Sequence, residues 1–166
     1  MDEPNAESGQ LSLDAALAEQ AGAAAQMHDT VVVESGLHRS RRASVAHVVL
    51  FRAAGLDAAT LAEVTRDLQF RLGVIPGLDD ATLEISSPGI QRTLKHEREY
   101  QIFVGKGVRV LTVATENWHE GIISAVTDGN LVLAPLANTQ GAPLLVPLVQ
   151  IRTARLTGSE WQGREE

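Results

Sequence analysis

The chain has 166 residues, 44% of them apolar, which suits one ordinary domain or two small ones with enough apolar side chains for their cores. Cysteine is absent, so disulfides, thiolate metal sites and thiol nucleophiles are excluded, and no apolar run approaches the roughly 18 residues that a membrane span needs. The net charge is −7, yet residues 1–34 hold seven Asp or Glu and no Lys or Arg while the remaining 132 carry fourteen of each. Bulk counterion release on nucleic acid is therefore not the binding mode to expect; the balance favours a basic protein partner, a local basic patch, or both.

The first ten residues are polar and read as disordered, and they lack the basic start and apolar run of a secretory signal. A cytoplasmic protein is expected. Leu13, Leu17, Ala21 and Ala24 then recur at helical spacing, which predicts a helix from Ser12 to Met27. Val31, Val32 and Val33 are too β-branched to prefer a helix, and with the run 45–52 they predict a hairpin whose loop spans residues 36–42. The second strand offers apolar side chains to both faces, which suits an interior position in a sheet.

Asp57 stands where its charge suits a helix start, and Leu61, Val64, Leu68 and Leu72 form the apolar stripe of a second helix, ended by Gly73 and Pro76. Leu83 and Ile85 mark a third strand. The first part of the chain therefore reads helix, strand, strand, helix, strand. From residue 100 onward, five short β runs (108–113, 121–126, 131–133, 144–146 and 151–156) are separated by turns, including the tight-hairpin signal Asp128-Gly129. That pattern predicts a small closed or nearly closed barrel. The expected divisions are a disordered 1–10, an α/β domain at 11–93, a barrel at 94–157 and a disordered 158–166, with Trp161 in that tail.

The stretch Leu-Glu-Ile-Ser-Ser-Pro-Gly-Ile-Gln-Arg-Thr-Leu at residues 83–94 converts a strand into a fixed turn. Pro88 holds its own φ and biases Ser87 toward extended backbone, and Gly89 is expected to supply left-handed or otherwise restricted geometry. The serines do not sit in a G-x-S-x-G elbow and no His or acid is placed to activate them, so a hydrolase is disfavoured. A KH-type RNA clamp is disfavoured too, because no G-x-x-G loop lies between helices. The five histidines show no i, i+4 pairing, and nucleotide-binding glycine loops are missing; no metal or cofactor is expected. Aromatic side chains are too few for a base-stacking platform.

The element order, the 83–94 stretch with Arg92 and Leu94, and the later Phe-Val-Gly-Lys-Gly-Val-Arg-Val at residues 103–110 resemble the ribosome maturation factor RimP family. The resemblance covers about residues 11–156. It implies an α+β protein: an N-terminal α-β-β-α-β domain followed by a small Sm-like or SH3-like five-stranded β-barrel. It implies no enzymatic activity but binding to the immature small (30S) ribosomal subunit, through rRNA and a basic ribosomal protein near the decoding centre, by a monomeric factor. Gln91 and Thr93 depart from the family turn, which carries an acid and a proline there. A second reading is an Sm-like RNA-binding module acting on non-ribosomal transcripts.

Ten residues are the candidates for partner binding. Arg39, Arg41 and Arg42 lie on the expected hairpin loop; Ser86, Ser87, Pro88 and Gly89 form the turn; Arg92, Lys95 and Arg98 follow it. Arginine forks match phosphate geometry, which would set Arg92 and Lys95 at the edge of RNA. The plain alternative for both basic groups is solvated surface charge.

Overall fold

The helical stripe read from the sequence is the buried face of the first helix. In a computed structural model, which describes residues 4–160 apart from 115, 138 and 140, α1 runs Pro4–Met27, and Leu17, Ala21 and Ala24 are fully buried along it. It ends where Asp29 takes a left-handed φ of 51°, while the Thr30 N–H and hydroxyl both donate to the Ala25 carbonyl. This helix starts eight residues before the expected Ser12. Proline is tolerated in a first helical turn, and Gln10, expected to be disordered, donates from Nε2 to the Leu37 carbonyl at 2.9 Å.

Strands β1 (Val31–Arg39) and β2 (Ser44–Phe51) form the expected hairpin, but its loop is shorter than predicted. Gly36 lies inside β1, opposite His47, and a Cβ there would come within 2.6 Å of the imidazole Cε1. Glycine at this point makes room for a ring rather than a bend. Helix α2 (Ala58–Leu72) is capped by Asp57, whose Oδ1 accepts from the Thr60 N–H at 2.7 Å, and it buries Val64, Leu68 and Leu72. Strand β3 (Thr82–Ser86) then pairs parallel to β2, giving a three-stranded sheet in the order β1-β2-β3. The core formed by α1, α2 and the sheet holds Ala46, Val48 and Leu50 of β2. Its opposite face, Val45, Val49 and Phe51, is half-buried.

The chain divides into two compact units between Pro88 and Gly89. The second contains β4 (Thr93–Leu94), α3 (Glu97–Ile102), β5 (Lys106–Thr112), β6 (Trp118–Thr127), β7 (Asn130–Ala134), β8 (Leu144–Pro147), a 3-10 turn at Leu148–Gln150, and β9 (Ile151–Glu160). Asp128 and Gly129 both take positive φ, 50° and 74°, the geometry that a two-residue hairpin requires. Phe103, Val108, Val110, Ile123, Leu131 and Ala154 are buried.

Where a closed or nearly closed five-stranded barrel is expected, the strands form a six-stranded sheet in the order β4-β9-β5-β6-β7-β8, which is not closed and ends at β4 and β8. The extra strand explains the difference: Thr93 pairs with Arg155 and Leu94 with Ala154, so β4 occupies part of the β9 edge that closure would need. The segment before the first expected barrel run at 108–113 thus holds β4 and α3, and β9 extends to Glu160, beyond the expected start of a disordered tail. Trp161 lies outside the described residues. No helix among the described residues is long and apolar enough to cross a membrane.

Candidate functional site

The hairpin between β1 and β2 turns within residues 40–43, and Ser40 organises it. Its N–H and hydroxyl both donate to the Ala43 carbonyl, at 2.9 and 3.0 Å, and its Oγ accepts from the Ala43 N–H at 3.1 Å. A short polar side chain bonding to nearby backbone is how such a tip is fixed. Arg39, Arg41 and Arg42 are all exposed on it. They form a local basic cluster on an anchored tip, in a region of the chain that is otherwise acidic.

Ser86 ends β3 beside Val49, and Ser87 and Gly89 are exposed. Because β3 runs parallel to β2, its first residue, Thr82, lies beside Val45 next to the arginine tip, and Ser86 lies at the other end. The four residue steps from Val45 to Val49 correspond to about 13 Å of strand. The sheet therefore separates the arginine tip from the serine turn; the two do not converge.

Of the left-handed or otherwise restricted geometry expected at Gly89, the left-handed form is not adopted. The glycines with left-handed φ are Gly55, Gly77, Gly105 and Gly129, and Gly89 is not one of them. It opens a turn in which its carbonyl accepts from the Arg92 N–H at 3.0 Å, and a Cβ added to it would meet nothing within 4 Å. Neither backbone strain nor crowding within the chain calls for glycine here.

Arg92 is held inside the second unit. Its Nε donates to Glu99 Oε2 at 2.7 Å, with side-chain exposures of 12% and 2% for the two residues. Glu99 Oε1 also accepts from the Lys95 N–H at 3.2 Å, and the Arg92 carbonyl accepts from the Leu156 N–H at 2.8 Å. The carboxylate thus gathers the turn, the end of β4 and the start of α3 around one buried charge. Beside it, burial first and the Glu99 charge second push the Tyr100 phenol above its ordinary pKa. Lys95 and Arg98 have exposed side chains. Of the three basic residues after the turn, Arg92 is the one that is not exposed.

Glu99 was missed as a site-forming residue in the sequence, where seven positions separate it from Arg92 and nothing marks them as partners. Among the described residues no group of three His, Asp or Glu side chains converges on a metal position. His28 lies 3.7 Å from carboxylates of both Glu63 and Asp67, and His47 lies 4.0 Å from Glu34; these contacts tie neighbouring elements of the first unit together.

No family model matches the chain. A stretch of 48 residues is 50% identical to the ribosome maturation factor RimP of Paracidovorax citrulli (strain AAC00-1). That match covers 29% of this chain and 23% of the relative, so the two are alike over about a quarter of the relative's length.

Proposed function

We propose that this protein is a ribosome maturation factor that binds the immature small ribosomal subunit and assists its assembly without covalent chemistry. The observation that carries the reading is the 50% identity to a ribosome maturation factor over 48 residues. The anchored arginine tip supports it: Arg39, Arg41 and Arg42 offer guanidinium forks of the kind that grip phosphate oxygens, on a protein otherwise too acidic to coat nucleic acid indiscriminately. The acidic first helix suits a basic ribosomal protein as the second contact.

In this reading the factor is a cytoplasmic monomer that works by differential binding. It stabilises one arrangement of rRNA and ribosomal protein and leaves when the mature subunit binds it less well. Arg39, Arg41 and Arg42 would contact rRNA; the turn at Ser86, Ser87, Pro88 and Gly89, exposed except at the half-buried Pro88, would be one further partner contact, and Lys95 and Arg98 in the second unit would be another. Arg92 would act indirectly, by holding the turn.

The test is sedimentation of the tagged protein with separated small subunits, large subunits and assembled ribosomes at near-physiological salt. Selective comigration with free small subunits is the expected result. Protein that stays at the top of all three gradients would sink the proposal.

A further inference from the structure

We infer that the second unit carries a docking cleft for an extended acidic peptide segment of a partner protein, seated beside the first residues of β9. Strand β9 begins at Ile151, but β4 pairs with it only at Ala154 and Arg155. On that side, residues 151–153 have no strand beside them among the described residues. An open strand edge of this kind is a template for an added strand.

A cleft of about 340 Å³ lies at this edge, a volume that accommodates a few side chains. Its apolar lining comes from Leu94, Tyr100, Leu148, Val149 and Ile151. Val149 is 91% exposed at the middle of the 3-10 turn, while Leu94 and Tyr100 are nearly buried. The cleft therefore offers an apolar floor and one protruding aliphatic side chain without a cover.

Charge selects the occupant. Lys95, His96 and Arg152 line the cleft against the single acid Glu97, in a chain whose net charge is −7. Arg152 is exposed. A peptide that alternates aliphatic and acidic residues would place one set on the apolar floor and the other toward Arg152, since side chains of a strand alternate in direction. Nucleic acid fits less well. Bases would meet an aliphatic floor, and Tyr100, the aromatic side chain in the lining, is 7% exposed and so unable to stack on them.

The experiment is an amide-resolved NMR titration of the full chain with an acetylated, amidated Glu-Leu-Glu-Val-Glu peptide, alongside Lys-Leu-Lys-Val-Lys and an oligouridylate of ten nucleotides. The acidic peptide is expected to shift amides at residues 148–154. Arg152→Glu and Val149→Asp, both at exposed positions, are each expected to weaken it roughly fivefold or more while the remaining amides keep their positions. The inference is overturned if the acidic peptide leaves those amides unmoved at millimolar concentration, if the lysine peptide binds equally well, or if the oligouridylate moves the same amides. The cleft shares Lys95 with the proposed subunit contact but its test is read at Val149 and Arg152, which that contact does not include, so failure of either proposal leaves the other standing.

Discussion

Arg92 Nε lies 2.7 Å from Glu99 Oε2, and the pair is almost sealed from solvent, with 12% and 2% of the two side chains exposed. A basic residue that reads in the sequence as a contact for RNA is thereby a fastener inside its own unit. Removing one member of such a pair leaves the other charged, buried and short of partners, which costs far more than the intact pair contributes. Arg92→Ala and Glu99→Ala are each expected to destabilise the second unit by about 3 kcal/mol. Arg92→Met and Glu99→Leu alone should be comparably destabilising, and the Arg92→Met, Glu99→Leu double variant should lose much less than their sum, as a non-additive double-mutant cycle in urea unfolding. Additive losses would show that the two residues act independently.

The outer edge of β1 is closed by a helix side chain. Asp14 Oδ1 accepts from the Leu37 N–H at 2.7 Å, and Gln10 donates both to Asp14 and to the Leu37 carbonyl. These bonds satisfy backbone groups that an edge strand otherwise leaves open to other chains. Asp14→Ala is expected to lower stability by about 1–2 kcal/mol and to accelerate hydrogen exchange at the Leu37 amide relative to its neighbours. An unchanged Leu37 exchange rate would remove this role.

These two clusters show where the sequence is legible and where it is not. Leu17, Ala21 and Ala24 announce their helix because a single periodicity places them on one face, and Asp128-Gly129 announces its hairpin because few residue pairs accept two positive φ angles. The segments β4 and α3 carry no such signal: two and six residues are too short to show a period. Gly36 misleads for a different reason, since its cause is His47 on the neighbouring strand. The Arg92–Glu99 pair is invisible for the same reason. Long-range partners leave no local pattern, so a buried charge pair reads as two surface charges until the fold is in hand.

Asp57 gives the first unit a pH-dependent cap. The Thr60 N–H, then the Thr60 side chain, hold its carboxyl below the ordinary aspartate pKa, against a smaller opposing effect of burial. A folded pKa below the unfolded one means the stabilisation is fully present above the unfolded pKa and is lost as pH falls through the folded one. Asp57→Ala should therefore lower the melting temperature at neutral pH, with the gap to the unsubstituted protein narrowing in acid. Asp57→Asn keeps an N-cap acceptor and should keep part of the stability without the pH dependence. A gap that stays constant down to acid would contradict the charged cap.

Two glycines make opposite predictions. A Cβ at Gly121 would sit 2.7 Å from the Ala134 carbonyl oxygen and 3.1 Å from the Leu133 Cβ, where β6 meets β7. Gly121→Ala is expected to cost about 1–3 kcal/mol through overpacking. Gly89→Ala meets nothing within 4 Å, so its melting temperature should match that of the unsubstituted protein within about a degree or two, the range of an inconsequential surface change. If Gly89→Ala unfolds readily, the turn geometry described above is wrong. If it folds normally and binds small subunits less well, the space over Gly89 is where a partner approaches.

The arginine tip offers the clearest separation of folding from binding. Ser40 fixes the turn through backbone bonds that involve none of the three guanidinium groups, and Arg39, Arg41 and Arg42 are exposed. Replacing all three by Gln should leave thermal stability nearly unchanged. Each lost phosphate contact lowers the salt dependence of binding by about 0.7–0.9 in the slope of log K against log salt. The triple variant is therefore expected to bind small subunits more weakly at low salt and to show a slope shallower by roughly two units. Equal affinity and an equal slope would remove the tip from the interface, and the exposed serine turn would become the leading candidate for the contact.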